Sequence, residues 1–338
     1  MNKKILFAAV GAALAVVPMI SAQADVKVGG SAHLSVDSLD RGTASDTGSL
    51  FVSSNSSNIF VSASEDLGGG MKAIAYFEHL YTQDVSTSGQ ANRNNYVGLN
   101  GGFGTVKLGH FDDSMKMVGR SVDLFYNEQL GESRAITRQG NFTDERLANT
   151  VAYESNNMSG FTFAIQYGLE DSFTADFKTT VLGLNYKAGP LNVGVALKSA
   201  DLSATTSTSA TRIAGTYDMG AFKFAGFYQT VSDTSGVAGA DRTTLGLGVA
   251  FKAGNNTFKA QWYKADELDN AVTTGGTQTS FGVDHNLSKT TVVYATYAKI
   301  SNDTLATFGV GGNGHGASAV PAAGVDSSGF SLGMRMKF

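Results

Sequence analysis

Apolar and polar residues alternate along most of this chain. In "GFTFAIQYG", Phe161, Phe163, Ile165 and Tyr167 fall on one face and Thr162, Ala164 and Gln166 on the other. "PLNVGVALK" sets Leu191, Val193, Val195 and Leu197 against Asn192, Gly194, Ala196 and Lys198. "TTLGLGVAFK" sets Leu245, Leu247, Val249 and Phe251 against Thr244, Gly246, Gly248, Ala250 and Lys252. "TFKAQWYK" and the closing "FSLGMRMKF" repeat the pattern, the latter to the last residue. A period of two predicts β-strands with one apolar and one polar face.

The connections alternate too. Short turns are expected at 66–70, 101–102, 156–159, 188–190, 219–220, 253–256 and 286–289, and longer polar loops at 38–49, 82–92, 112–146, 169–176, 199–210, 232–241, 266–276 and 302–327. Seven turns and eight loops join sixteen strands. An even strand count with short turns at one end and long loops at the other is the layout of an all-β, antiparallel outer-membrane barrel. Leu245, Trp262 and Phe330 would then meet lipid, where a charge costs about 2–4 kcal/mol at mid-depth. Lys252, Lys259 and Arg335 would point into a polar lumen. Sixteen strands enclose more space than side chains fill, so an aqueous channel is expected. The small inward residues Gly246, Gly248 and Ala250 would leave it open, although each glycine has a second reading as an aid to strand bending.

Composition agrees with that class. Charged residues are 16 % of the chain, against about 25 % in a typical soluble domain, and there are 41 glycines and 3 prolines. Beyond residue 24 no stretch approaches 18 consecutive apolar residues, so a closed barrel is the remaining way to span a bilayer. "MNKKILFAAVGAALAVVPMISAQA" has the charged start, apolar run and A-x-A ending of a secretory signal peptide. Residues 1–24 are read as that leader and 25–338 as a single barrel domain. The apolar run from Ile5 to Val17 is too short to span, which takes roughly 20 residues. The formal net charge is −4, or −6 without Lys3 and Lys4, the wrong sign for wrapping nucleic acid. With no cysteine, disulfides, thiolate chemistry and Cys-based metal sites are excluded. The five histidines are scattered, no H-E-x-x-H occurs, and no G-x-S-x-G elbow is present, the Gly329-Phe330-Ser331-Leu332-Gly333 of the closing stretch lying within its period-two alternation, so no catalytic residue, metal or cofactor is expected.

One connection is too long to be only a loop. Residues 112–146 carry Asp112, Asp113, Asp123, Glu128, Glu132, Asp144 and Glu145 beside Lys116, Arg120, Arg134 and Arg138, with a helical turn expected around "SVDLFYNEQL". Loops of this length are functional or disordered. Folded inward, its carboxylates would narrow the channel and face basic residues on the wall, the arrangement by which charged rings select ions. An ordinary solvated surface loop is the alternative.

Five blocks carry a family resemblance: "EDLGGGMKAIAYFE", "RNNYVGLNGGFGTVKLG", "RLANTVAYESNNMSGFTFAIQY", "HNLSKTTVVYATYA" and the closing "LGMRMKF". In this order the chain resembles the general diffusion porins of Gram-negative bacteria, in particular the branch found in Neisseria and many proteobacteria. The resemblance implies a homotrimer of sixteen-stranded barrels in outer-membrane lipid and lipopolysaccharide, passing small hydrophilic solutes and ions. It implies a third extracellular loop folded inside opposite an arginine cluster. It also implies a terminal aromatic, here Phe338, that closes the last strand on the first and is presented to the barrel-assembly machinery.

Arg93 and Arg146 match the family's basic wall. Asn58, His110 and Thr290 stand where arginine is common, so the cationic side is thinner and weak cation preference or near-neutrality is expected. Strict alternation puts His110 on the face of Val106 and Leu108; a bulge at Gly109 would turn it inward, and without one it sits at the rim. Two further readings stay open, a substrate-specific channel and an adhesin or structural barrel acting through its loops. Phe125, Tyr126 and Tyr263 are too few to predict an aromatic slide, and the Gly/Ala/Ser-rich loop 302–327 reads as flexible.

Overall fold

The computed structural model describes residues 24–43, 48–85, 90–126, 128–140, 142–169 and 178–338. Apart from Ala24, the expected leader lies outside them, as does most of the expected loop 169–176. The first strands are β1 (Asp25–Asp40), β2 (in two lengths, Ser49–Ser54 and Asn58–Gly68), β3 (Met71–Tyr81), β4 (Gln90–Gly101) and β5 (Gly104–Asp112). Two short helices follow, α1 (Ser114–Arg120) and α2 (Arg134–Thr137), and then β6 (Arg146–Glu154), β7 (Phe161–Gly168), β8 (Thr179–Ala188) and β9 (Leu191–Asp201). The remainder are β10 (Ser207–Met219), β11 (Phe222–Ser232), β12 (Arg242–Ala253), β13 (Asn256–Ala265), β14 (Gly276–Asn286), β15 (Thr291–Asn302) and β16 (Ser327–Lys337). Each strand pairs antiparallel with the next, and β16 pairs with β1, Ser31–Asp40 running opposite Lys337–Ser328. The sheet is a closed barrel of sixteen strands, so no strand is left with an open edge. Among the described residues no helix is long and apolar enough to cross a membrane.

Closure sorts the two faces as the alternation predicts. Ile213, Leu245, Phe330 and Met334 are 43 %, 43 %, 45 % and 51 % exposed, while Arg212, Gln229, Gln278 and Ser331 on the other face are fully buried. This is the reverse of a soluble protein. An exposed apolar face with a buried polar face is stable only where the surroundings are lipid.

The seven expected turns all fall between paired strands. Three details differ. The ladder of β9 and β10 continues to Asp201 and Ser207, so the expected loop 199–210 shrinks to 202–206. The last loop, read as flexible, contains a small hairpin pairing Val310–Gly311 with Ser318–Ala319. And β2 is interrupted at 55–57, where Asn55 and Ser57 are 1 % exposed and bond β1 at His33.

The wall glycines do not hold the lumen open. An ideal Cβ on Gly246 would lie 2.2 Å from the Tyr263 ring, and one on Gly248 would lie 2.9 Å from Leu124 of segment 113–145. Gly194 faces Val118 at 2.9 Å, Gly282 faces Phe125 at 2.7 Å and Gly329 faces Leu130 at 2.9 Å. Apart from Gly246, which receives Tyr263 of the wall itself, these positions are notches into which the apolar residues of the long segment fit. Any larger side chain there would displace them or the wall.

Candidate functional site

Segment 113–145 is built to dock. Asp113 caps α1, its carboxylate accepting from the Lys116 amide at 2.7 Å. Met115 and Val118 of α1 are buried against the wall. Among the described residues of 121–130, where a helical turn is expected, no helix forms. Asp123 turns its carboxylate back to the Phe125 amide at 2.9 Å, and Glu128 adopts a left-handed φ of 61°, so the chain there runs as successive turns. The helices lie on either side, at Ser114–Arg120 and Arg134–Thr137.

Polar wall residues then meet the segment's own backbone and charges. The Arg212 guanidinium donates to the Asp144 carboxylate at 2.9 and 3.1 Å and to the Met115 carbonyl at 2.7 Å. Lys198 donates to Asp113 at 2.7 Å, with both side chains fully buried, and also contacts Glu145. Gln261 and Gln278 donate to the Gly131 carbonyl at 2.8 and 2.9 Å, and Gln229 to the Thr137 carbonyl at 2.9 Å. Burial pushes the Asp144 carboxyl upward, but Arg212 outweighs it and holds it below the usual carboxylate range. For Asp113 burial wins over Lys198 and the shift is upward.

The last loop locks the other side. Arg138 donates to Asn313 at 2.7 Å, and Asn313 donates to the Arg134 carbonyl at 3.1 Å. His315 is buried, with Nδ1 2.9 Å from the Glu128 carbonyl oxygen and Nε2 2.9 Å from an Asp37 carboxylate oxygen.

Beside the segment is a polar cavity of about 430 Å³ lined by Glu78, Arg93, Lys107, Asp112, Arg120 and Glu128 among others. Its charges largely compensate one another. Arg93 sits 2.6 Å from Glu78; Lys107 pairs with Glu154; Asp112 is ringed by Lys116 at 2.7 Å, Arg120 at 2.9 Å and Arg146 at 3.2 Å. Glu128 lies between Arg120 at 3.5 Å and Arg134 at 3.4 Å. Burial brings the Lys116 ammonium down to about 8, with Asp112 pulling the other way. Burial likewise pushes the Glu132 carboxyl up to about 8, against Arg134 at 2.8 Å.

The expected site residues therefore separate. Asp112, Glu128 and Arg93 line the cavity, and Arg146 stands behind it, 3.2 Å from Asp112. Asp113 and Glu132 are buried in contacts with the wall and with α2, and Asp123 is spent on Ser133, Phe125 and Gln261. The ladder between β5 and β6 slips between Gly109 and Phe111, the extra residue lying on β6 beside Asn149, whose φ is 46°. Phe111 and Asp112 line the cavity; the half-buried His110 does not. Phe338 exchanges two backbone bonds with Gly30 at 3.0 and 3.1 Å. Glu78, Lys107, Lys198 and Arg212 were not singled out from sequence. The available signal was a charge inside a strand meant to cross lipid, which has to face inward to a partner. Among the described residues there is no group of three side chains able to hold a metal ion.

A family model for the Gram-negative porin matches residues 8–305. The chain belongs to the Gram-negative porin family. It is 28 % identical over 303 residues to outer membrane porin protein 32 of Delftia acidovorans, covering 84 % of this chain and 85 % of that one. It is 31 % identical over 188 residues to major outer membrane protein P.IB of Neisseria lactamica, 55 % of each chain. Among solved structures, the anion-selective porin from Comamonas acidovorans superposes with TM-score 0.80 at 24 % identity, covering 94 % of this porin and all of that chain. A trimer form of OmpT of Vibrio cholerae superposes with TM-score 0.73 at 17 % identity, over 93 % of this porin and 99 % of that chain. The barrel of this porin is thus that of an outer-membrane channel, and its relatives are channels rather than enzymes.

Proposed function

We propose that this porin is a passive diffusion channel for small hydrophilic solutes and ions, assembled as a homotrimer, in which segment 113–145 lies inside the barrel as its constriction. The observation that carries the reading is the docking of that segment on buried wall residues Lys198, Arg212, Gln261 and Gln278, the face opposite the lipid-exposed one. Paired charges around the cavity favour the near-neutral end of the expected selectivity. Glu128 and Asp112 are the constriction carboxylates, and Arg93 and Arg146 the basic wall. The trimer has support in the trimeric form named for the Vibrio relative. The leader 1–24 is cleaved on this reading, and Phe338 is the assembly signal.

Planar-bilayer conductance tests it. Purified protein should give large steps closing in thirds, with a reversal potential near zero in a salt gradient. Changing Glu128 to Gln should shift selectivity toward anions, since it removes the less heavily neutralised carboxylate. Folded, heat-modifiable protein with no conductance would overturn the channel. Steps insensitive to Glu128→Gln would place the constriction away from the segment.

A further inference from the structure

Four aromatic side chains form a row on the inner wall, one from each of β2 to β5. The ring centroids of Phe60 and Tyr76 are 5.3 Å apart at 22°, those of Tyr76 and Tyr96 5.6 Å apart at 16°, and Phe111 meets Tyr96 edge-on at 5.7 Å. Tyr76 and Tyr96 are direct cross-strand partners. The row escaped the sequence reading because only the register brings residues 60, 76, 96 and 111 together.

Because Phe60, Tyr76 and Tyr96 stack on one another, it is ring edges that Tyr76 and Tyr96 are left to offer the cavity they line. The faces of these three are taken up by one another, by Gly29 beside Phe60, and by the Lys107 ammonium, 5.0 Å from the Tyr96 centroid and 4.8 Å from that of Phe111. A sugar stacks on a free flat face, which the stacked rings lack. Ring edges carry partial positive charge and attract the negative face of another aromatic ring. Across the same cavity stand Met117 and Tyr126. Met117 is 52 % exposed although Met115 and Val118 of the same helix are buried, and Tyr126 lies under the Arg120 guanidinium at 4.9 Å. The cavity therefore has two adhesive sides for a flat apolar ring.

It also has an anion site. The lining carboxylates Glu78, Asp112, Glu128 and Glu154 are each paired, as are Arg93, Lys107 and Arg120. Among the described residues, Arg335 and Lys337 of β16 line the cavity with no carboxylate in ion-pair range. Three strand spacings, roughly 14 Å along the wall, separate β16 from β3. Long basic side chains on one side and tyrosines on the other leave room for a single small aryl acid.

We propose that this part of the lumen is a binding subsite for small aromatic carboxylates. The ring lies between the Tyr76 and Tyr96 edges and Met117 with Tyr126, and the carboxylate reaches Arg335 and Lys337. The proposal rests on the channel reading above.

The test is single-channel recording in potassium chloride with benzoate titrated in, and cyclohexanecarboxylate and acetate as controls. Benzoate should reduce the open current saturably, cyclohexanecarboxylate several-fold less potently and acetate not at all. Tyr76→Leu with Tyr96→Leu should raise the half-saturating benzoate concentration roughly 3- to 10-fold, the size of a lost aromatic pair. Arg335→Gln with Lys337→Gln, which leaves the row intact, should do the same. Equal potency of benzoate and cyclohexanecarboxylate would overturn the subsite. So would an unchanged benzoate response in either variant that retains wild-type potassium chloride conductance. Failure of the channel reading looks different, because the wild type would then pass no current even without benzoate.

Discussion

Changing Arg212 to Met removes the strongest tie between the wall and segment 113–145. Arg212 is 0 % exposed and makes three bonds to the segment, two to Asp144 and one to the Met115 carbonyl, besides its bonds to Gln229 on the wall. Methionine fills similar volume without the charge. Removing one member of a buried ion pair costs about 3–5 kcal/mol, because the partner stays behind as an uncompensated charge. Among the described residues, Asp144 would keep only Thr143 as a hydrogen-bond donor, at 3.3 Å. The ladder on both sides of β10 does not depend on this arginine, so the loss falls on docking of the segment rather than on the barrel. A loss of about 3 kcal/mol shifts a docked–undocked equilibrium by more than 100-fold. Single-channel recording of Arg212→Met should show larger and noisier openings, and hydrogen exchange at the α1 amides should accelerate by a comparable factor. Adding Asp144→Asn removes the stranded charge and should recover about half the loss. Wild-type conductance together with wild-type α1 exchange in Arg212→Met would refute the reasoning, since the tie would then carry no docking energy.

Other outcomes follow from the same geometry. Glu132 binds its proton more tightly folded than unfolded, so its contribution to stability falls as pH rises from the ordinary carboxylate range to about 8 and is flat beyond. Glu132→Gln should abolish that slope in thermal melts recorded from pH 5 to pH 9. A cysteine pair at Val118 and Gly194 should cross-link on oxidation, because an ideal Cβ on Gly194 lies 2.9 Å from a Val118 Cγ; absence of the cross-link in folded protein would contradict docking at β9. His315→Ala should take one hydrogen bond from the buried Asp37 carboxylate and free the Glu128 carbonyl, costing about 1–3 kcal/mol and raising protease cleavage in both long loops; unchanged cleavage would show that the last loop does not hold the segment.

Much of the barrel was legible because a strand states its two faces locally. With Phe224 outward and Gln229 inward on β11, a register error would put a charge or amide into lipid, so the alternation alone specifies strand, face and closure. Turn positions were equally plain, since Gly68 to Gly70 or Asn255 marks a hairpin in any context. Where the reading failed, the deciding partner was distant in sequence. Gly248 looked like an open gap and is the seat of Leu124; Gly194 is the seat of Val118. Asp123 looked like a channel carboxylate and is consumed by Ser133, ten residues on. The aromatic row of Phe60, Tyr76, Tyr96 and Phe111 exists only through the register of four strands.

The sequence by itself determined the strands, their lipid-facing side, their number and the family, because each rests on a period of two or on contiguous blocks of residues. Only the tertiary structure decided which inward residues bind the long segment, which of its carboxylates stay near the cavity and which cations lack a partner. Those properties depend on side chains meeting across the barrel, from residues as far apart as Asp113 and Lys198 or Asp37 and His315, and no local pattern records such a meeting.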